Sequence, residues 1–401
     1  MQRIGIYGGT FNPPHLGHIR AAAYAARALG LEKMLMIPSC IPPHKAVLPE
    51  HAVTAEQRLA MLQLAIRDLP GLEASDLEIR RGGESYTYLT VEQLKKLYPE
   101  QELVLFMGTD MFLALDHWKN PDIILKNASI GVFYRGEAEE IRKIEAYQKQ
   151  LETRGARVYP VENPVTAISS SDLRRMLVFR CGSEFLPEGV EDYIRANGLY
   201  GTGRDYRNLP MEQLEPVVAG LLKPSRVAHV MGVRDTAVKL AQRWGADETD
   251  AARAGILHDI TKALDGPLQL TLCRDYGIIL DNFSTQNPKT LHSLTGAYVA
   301  RRIFGENQAV VDAIRPHTTG KPHMNLLQKI VYVADYMEPN RDFPGVERLR
   351  ELAFSDLDGA LELGLEMTVS MLRQQKRTVS RESEDTLLWL RERKNIPQGK
   401  E

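Results

Sequence analysis

The sequence predicts a doubly wound α/β domain followed by an all-α domain, and three observations carry that reading. Short apolar runs alternate with amphipathic stretches from Arg3 to about Val161. Beyond residue 210 the chain turns to long segments of 3.6-residue periodicity with almost no strand signal. Between them the stretch 201–210, GTGRDYRNLP, is polar and rich in turn formers, so it separates two regions of different period. With 401 residues, against about 150 for a typical domain, two cores are expected in any case. The boundaries read as a first domain over 1–200, a linker over 201–210 and a second domain over 211–395.

In order, RIGIYGG reads as a strand, LGHIRAAAYAARALG as a helix, EKMLMIPS as a strand and TAEQRLAMLQLAIRDL as a helix. ESYTYLTVEQLKKL reads as a helix, ELVLFMG and ASIGVFYRG as strands, then come a charged helix from about Glu139 to Glu152 and the strand RVYPV. Strands exchanging with helices of this length favour a parallel sheet covered on both faces. SSSDLRRML and EGVEDYIRANGLY read as two short closing helices. In the second half RVAHVMGVRDTAVKLAQRWG, DAARAGILHDITKAL, LHSLTGAYVARRIFG, QAVVDAIRPH, LLQKIVYVADYME and DLDGALELGLEMTVSMLRQQ are helical patterns, and the charged tail holds one more helix around Leu387 to Glu392.

Composition narrows the function classes. Lys+Arg 50 against Asp+Glu 52 leaves a net charge of −2, which argues against disorder and against a generally basic nucleic-acid binder. The three cysteines, Cys40, Cys181 and Cys273, form no C-x-x-C pair and no disulfide framework, as suits a reducing compartment. No apolar run reaches the roughly 18 residues needed to cross a bilayer, and no basic-then-apolar leader opens the sequence. A soluble cytoplasmic protein without membrane or nucleic-acid partners is therefore expected, and a homo-oligomer is left open. The ten histidines fall five before residue 120 and five after residue 225, which suggests two separate sets of chemistry.

The first set begins where the first strand feeds the first long helix. Gly8, Gly9, Thr10 and Phe11 lead into Asn12-Pro13-Pro14 and then His15-Leu16-Gly17-His18. At such a place glycines permit close backbone approach, and free N–H groups with the helix dipole favour an anion. A strand-ending Gly-Gly alone is often only a tight turn, but His15 and His18, three apart at the helix start, put two imidazoles beside the same point.

Thr10 with His15-Leu16-Gly17-His18 matches the T/H-x-G-H signature of the nucleotidylyltransferase superfamily, and Ile168-Ser169-Ser170-Ser171-Asp172-Leu173-Arg174 matches its second signature, I-S-S-S/T-x-x-R. Through Pro42-Pro43-His44-Lys45, Met107-Gly108-Thr109-Asp110 and Trp118, residues 1–200 most closely resemble the bacterial nicotinate-nucleotide adenylyltransferases. The resemblance implies a Rossmann-like domain that joins nicotinate mononucleotide to the α-phosphorus of ATP, with Mg²⁺ carried by the ATP, giving deamido-NAD and pyrophosphate. The attacking phosphate is already ionised, so such chemistry asks for donors and positive charge rather than a protein nucleophile. By the same resemblance Gly8, Gly9, Thr10, Phe11, His15 and His18 surround the reacting phosphates, while Lys45 and Arg174 bind triphosphate and pyrophosphate. Ile168, Ser169 and Ser170 form a phosphate-binding helix start, Thr109 and Asp110 contact nucleotide, and Trp118 stacks on the pyridine ring. Ser169 also reads as a plain helix N-cap, Asp110 as the cap of the helix that begins there, and Trp118 as a half-buried core aromatic.

The second set is His229, the pair His258-Asp259, His292, His317 and Asp335, each on or at the end of a separate helical pattern. A lone histidine on an apolar helix is usually a satisfied core residue. An adjacent His-Asp within Gly255-Ile256-Leu257-His258-Asp259-Ile260 asks for a cation, because burying both uncompensated costs several kcal/mol. The order H…HD…H…H…D resembles the HD-domain metal-dependent phosphohydrolases. Ser225-Arg226-x-x-His229, Leu257 to Lys262, Leu291-His292-Ser293, Pro316 to Gly320 and Ala334 to Arg341 resemble the YqeK-like branch, over residues 211–390. That branch implies an all-helical HD domain that hydrolyses diadenosine tetraphosphate symmetrically to ADP. His229, His258, Asp259 and Asp335 would hold one transition metal and His292 and His317 complete a second position, with iron or manganese suited to mixed imidazole and carboxylate ligands. Lys262 and Arg341 are candidate phosphate clamps. Two further readings stay open: the HD domain as a non-catalytic nucleotide-binding regulatory module, or as a phosphohydrolase of another nucleotide.

Overall fold

The computed structural model describes residues 2–41, 53–163 and 168–395, and its Cα framework divides into two compact units, Met1–Arg204 and Asp205–Glu401. The division falls inside the polar stretch that separates the two periodicities.

The first unit is built on an all-parallel six-stranded sheet: β1 Arg3–Gly9, β2 Lys33–Pro38, β3 Leu72–Ala74, β4 Glu102–Gly108, β5 Ser129–Tyr134 and β6 Val158–Glu162. The order is β3-β2-β1-β4-β5-β6. Because side chains alternate along a strand, Ile4, Ile6, Leu103, Leu105, Ile130 and Val132 enter one core on one face. Met34, Met36, Val104, Phe106, Phe133 and Val161 enter another core on the other face. Helices cover both faces, which is why the strands read as apolar runs rather than half-polar ones. The strand order reverses between β1 and β4, and in such sheets ligands bind at that switch point, beyond the strands' C-terminal ends. Five strands were legible as patterns. The sixth, β3, has three residues, too few to show a period.

The second unit is helical throughout its described residues. Its helices include Pro224–Trp244, Glu248–Leu257, Gly266–Asp275, Leu291–Arg302, Gln308–Ile314, Leu326–Met337, Leu357–Gln374 and Arg381–Asn395. Val233, Leu240, Ile330, Val333, Leu361 and Leu365 lie in its core. Two expectations need correction. The pattern through LHDITKAL does not continue the helix, which ends at Leu257, so His258 and Asp259 sit in the turns just past its C-terminus. The last helix runs from Arg381 to Asn395, far longer than the apolar Leu387 region indicated, because most of it is solvent-facing and charged.

Helices Pro224–Trp244 and Glu248–Leu257 pack backbone to backbone at Gly255. A Cβ there would lie 2.8 Å from the Arg234 Cα and 3.1 Å from its nitrogen. No helix among the described residues is long and apolar enough to cross a membrane.

Candidate active sites

In the first unit the segment after β1 is held from three sides. The buried Arg58 donates from Nη1 to Thr10 O at 2.7 Å and from Nη2 to Ser39 O at 2.5 Å and Cys40 O at 3.2 Å. Arg174 donates to Asn12 O at 2.7 Å, Ser170 Oγ to Pro13 O at 3.1 Å, and the buried Tyr200 hydroxyl to Asn12 Oδ1 at 2.6 Å. These bonds join the loop bearing the first signature to the helix Ser170–Val178 bearing the second.

His15 and His18 stack with ring centroids 3.7 Å apart, and the backbone N–H of His15 donates to His18 Nδ1 at 3.2 Å. Burial pushes His15 down to about 4, so near neutral pH it is an uncharged imidazole that can offer one N–H. Phe11, expected among the ligand contacts, is only 1% exposed. Its ring packs edge-on to His18 at 5.1 Å and to Tyr7 at 5.6 Å, so its side chain supports the imidazole from the core and leaves only backbone to face a ligand.

A hollow of about 550 Å³ opens at the C-terminal ends of β1, β4 and β5, lined among others by Tyr7, Gly108, Thr109, Asp110, Phe133 and Arg135. Thr109 Oγ1 donates to Glu140 Oε1 at 2.5 Å and lies 3.1 Å from Phe133 O, which brings β4 and β5 together at this rim. Asp110 does not cap the helix Thr109–Leu113, whose N-cap is Gly108; its carboxylate stands exposed at the hollow. Ser169 is the N-cap of Ser170–Val178, accepting from Asp172 N at 3.1 Å, and Ile168 packs against the core beside it. Trp118 is half-buried against the opposite core. Lys45, with Pro42, Pro43 and His44, lies outside the described residues.

In the second unit all six ligand-type residues converge, and Asp259 stands at the centre. Its Oδ2 lies 3.4 Å from His258 Nε2 and 3.8 Å from His229 Nε2. Its Oδ1 lies 3.2 Å from His292 Nε2 and 3.7 Å from His317 Nε2. Asp335 Oδ1 joins the first group, 3.2 Å from His229 Nε2 and 3.8 Å from His258 Nε2. One carboxylate thus faces two ligand sets with its two oxygens.

The buried atoms Asp259 Oδ1, His229 Nε2 and His258 Nε2 have no hydrogen-bond partner. Buried polar atoms are rarely left so, and nitrogen and oxygen donors aimed at common points fit divalent metal ions. The ligand atoms of His229, His258 and Asp335 lie within 4.8 Å of one another, as do those of His258, Asp259 and His317. The remaining ring nitrogens point outward: His258 Nδ1 and His317 Nδ1 each lie 2.7 Å from a backbone carbonyl, of Gly255 and Ile314. These contacts fix the tautomer that presents Nε2 inward.

Charge follows from this crowding. Burial raises Asp259, but His258, His317 and His292 outweigh it and hold its carboxyl well below the ordinary range. Burial lowers His258, yet Asp259 and Asp335 outweigh it and carry the ring upward. Burial, then Lys262, pushes His292 well down. The cations expected as phosphate clamps are engaged here. Lys262 Nζ lies 3.0 Å from His292 Nε2, and Arg341 donates to Asp335 Oδ1 at 2.8 Å.

A cytidylyltransferase-like family model matches residues 6–176 and an HD-domain model residues 226–340. A probable nicotinate-nucleotide adenylyltransferase of Desulfatibacillum aliphaticivorans is 35% identical over 218 residues, 49% of this chain and 99% of that protein. A symmetrical bis(5'-nucleosyl)-tetraphosphatase of Halalkalibacterium halodurans is 41% identical over 164 residues, 40% of this chain and 87% of that protein. The chain belongs to the cytidylyltransferase-like family through its first unit and to the HD family through its second. A crystal structure described as a predicted HD superfamily hydrolase involved in NAD metabolism, from Clostridium acetobutylicum, is 34% identical, covers 46% of this chain and 98% of its own, and superposes with a TM-score of 0.45.

Four residues of these sites carried no role in the sequence reading. Arg58 and Tyr200 hold the first-signature loop. In the HD domain Arg226 donates to Asp259 Oδ2 from Nε at 2.7 Å and also from its Nη2. Glu338, 1% exposed, accepts from His229 Nδ1 at 3.0 Å. Arg226 and Glu338 both stand inside quoted motifs, so their presence was visible and their partners were not.

Proposed function

We propose that the chain is a bifunctional enzyme: the first unit transfers an adenylyl group from ATP to nicotinate mononucleotide, and the HD domain hydrolyses diadenosine tetraphosphate to two molecules of ADP. For the first reaction a phosphate oxygen of nicotinate mononucleotide attacks the α-phosphorus of ATP. The bond to the β-bridging oxygen breaks, and pyrophosphate leaves with that electron pair. The nucleophile needs no deprotonation, so the residues only position and neutralise. His15, as a neutral donor, and His18 would stabilise the phosphates, Arg174 and the N-terminus of Ser170–Val178 would take the triphosphate, and Thr109, Asp110 and Trp118 would line the nucleotide ends. The carrying observation is the clamp of Arg58, Arg174, Ser170 and Tyr200 that brings both signatures to one point. Pyrophosphate release from ATP, compared across nicotinate mononucleotide, nicotinamide mononucleotide and phosphopantetheine, tests it; preference for phosphopantetheine overturns it.

In the HD domain the observation is the split of Asp259 between two ligand sets. His229, His258, Asp259 and Asp335 would hold one metal ion and Asp259, His292 and His317 a second, iron or manganese by the donor chemistry. Bound ions there supply Lewis acidity, lowering the pKa of a water and neutralising phosphoryl oxygens. A water oxygen would add to the β-phosphorus as its proton passes to solvent, the bond to the bridging oxygen opposite would break, and one ADP would leave with that electron pair while the attacked half becomes the second ADP. Arg226, Lys262 and Arg341 bring positive charge to the same place. Metal-loaded protein that binds diadenosine tetraphosphate but releases no ADP would turn the reading to a regulatory module.

A further inference from the structure

The second unit opens a hollow of about 270 Å³ whose lining includes Thr290 and Thr318, chain neighbours of His292 and His317, and none of the six ligand-type residues themselves. Its wall is drawn from the segments that carry the ligand set. Thr290 and Lys289 lead into His292, and the Lys289 carbonyl accepts from His292 Nδ1 at 2.8 Å. Thr318 follows His317 and donates to Ser293 Oγ at 3.0 Å. Thr368 donates to the hydroxyl of Tyr336, the neighbour of Asp335, at 3.0 Å.

The lining is selective in its chemistry. It contains no carboxylate, although Asp and Glu make up 52 of the 401 residues. Its two cations, Lys289 and Arg377, are exposed and make no ion pair among the described residues; Arg377 touches Gln375 Oε1 at a long 3.4 Å. Threonine and serine hydroxyls form much of the remainder, and the half-buried Phe283 offers an aromatic face. The neighbouring hollow, which shares Phe283, Thr290 and Thr318, sets Arg315, Lys321 and Arg381 against Asp281, Asp312 and Glu382, so its charged groups balance where those of the first hollow are all positive.

We propose that the hollow at Phe283 is the subsite for one nucleotide end of the HD substrate, with the base against Phe283, the ribose among the threonine hydroxyls and a phosphate at Lys289 and Arg377. The assignment rests on the phosphohydrolase reading above. The volume is close to the lower end of the roughly 300–1,000 Å³ of small-molecule sites, room for one nucleoside end and not for a whole dinucleotide. The other end of a symmetrical substrate then lies across the reaction centre. Base–aromatic stacking tolerates any base, so this subsite recognises a nucleotide end without choosing strongly among purines.

The test is steady-state hydrolysis of diadenosine tetraphosphate by the full chain loaded with Mn²⁺. Phe283→Ala and Arg377→Ala should each raise KM roughly tenfold while kcat shifts less than about twofold, and Phe283→Tyr should restore the parent KM. Bound metal, measured by elemental analysis, should match the parent in all three. Unchanged KM in both alanine variants of an active parent, or a loss confined to kcat, overturns the subsite and leaves the metal-centre reading standing. A metal-loaded parent that hydrolyses neither dinucleotides nor mononucleotides overturns the reading itself.

Discussion

Glu338 grips His229 from behind: the ring's Nδ1–H donates to Glu338 Oε1 at 3.0 Å while its Nε2 faces Asp335 Oδ1 at 3.2 Å. The second Glu338 oxygen is tied down in turn by Asn340, through its backbone N–H at 2.7 Å and its side-chain amide at 2.8 Å. Such a carboxylate fixes the orientation of a ligand histidine and raises its basicity. Glu338→Gln should therefore weaken metal binding about 10- to 100-fold, read by competition with a chelating dye. Gly232→Ala should act in the same direction, since its Cβ would clash with Glu338 Oε2. Parent-like affinity in both variants would remove Glu338 from the site.

Asp259 presents an oxygen to each ligand set, so its loss should disable both at once. Asp259→Ala is expected to abolish nucleotide hydrolysis and leave adenylyl transfer intact; His18→Ala should do the reverse. Metal should raise the thermal midpoint of the parent's second unit, since a ligand at about 100 times its Kd adds about 2.7 kcal/mol, and should not do so for Asp259→Ala. Loss of both activities from either well-folded variant would contradict two independent sites.

The Arg58 guanidinium satisfies three backbone carbonyls in a buried place. Arg58→Met keeps the bulk and strips those bonds, and a destabilisation of about 2–4 kcal/mol is expected from the carbonyls left unpaired. Urea unfolding measures it. Because the same loop carries His15 and His18, transferase activity should fall further than the loss of folded protein explains.

The depressed His15 gives a pH signature. An unfolded histidine titrates near 6.5 and the folded one near 4, so between those values the unfolded chain binds a proton that the folded chain refuses. Stability from this source is complete above pH 6.5 and is lost as pH falls. The loss should reach about 2 kcal/mol at pH 5. His15→Gln removes the titration, so its urea midpoint should drop less than the parent's between pH 7 and pH 5.

Much of this architecture was readable because burial leaves periodic traces. β1 with Ile4 and Ile6, and the helix Leu326–Met337 with Ile330 and Val333, announce themselves through apolar spacing. His258 and Asp259 stood out for the opposite reason, as polar groups in apolar company. Contacts between distant segments leave no such trace. Glu338 and His229 are 109 residues apart, and Arg174 finds Asn12 across 162 residues, through a backbone carbonyl that any residue would offer. Phe11 shows the converse: a motif position suggests proximity to ligand, and only packing reveals that the ring turns inward.

At Gly255 one helix backbone rests on another with room for a hydrogen atom and nothing larger. The glycine's carbonyl also receives the His258 ring at 2.7 Å, and the helix it touches carries His229 one turn before Val233. The gap between the His229 and His258 imidazoles, 5.5 Å between ring centroids, thus depends on the absence of a methyl group at a residue that is no ligand itself. Widening that gap would need no change to a single ligand, and a sequence with every histidine and aspartate in place could still belong to a protein that cannot close around its ions.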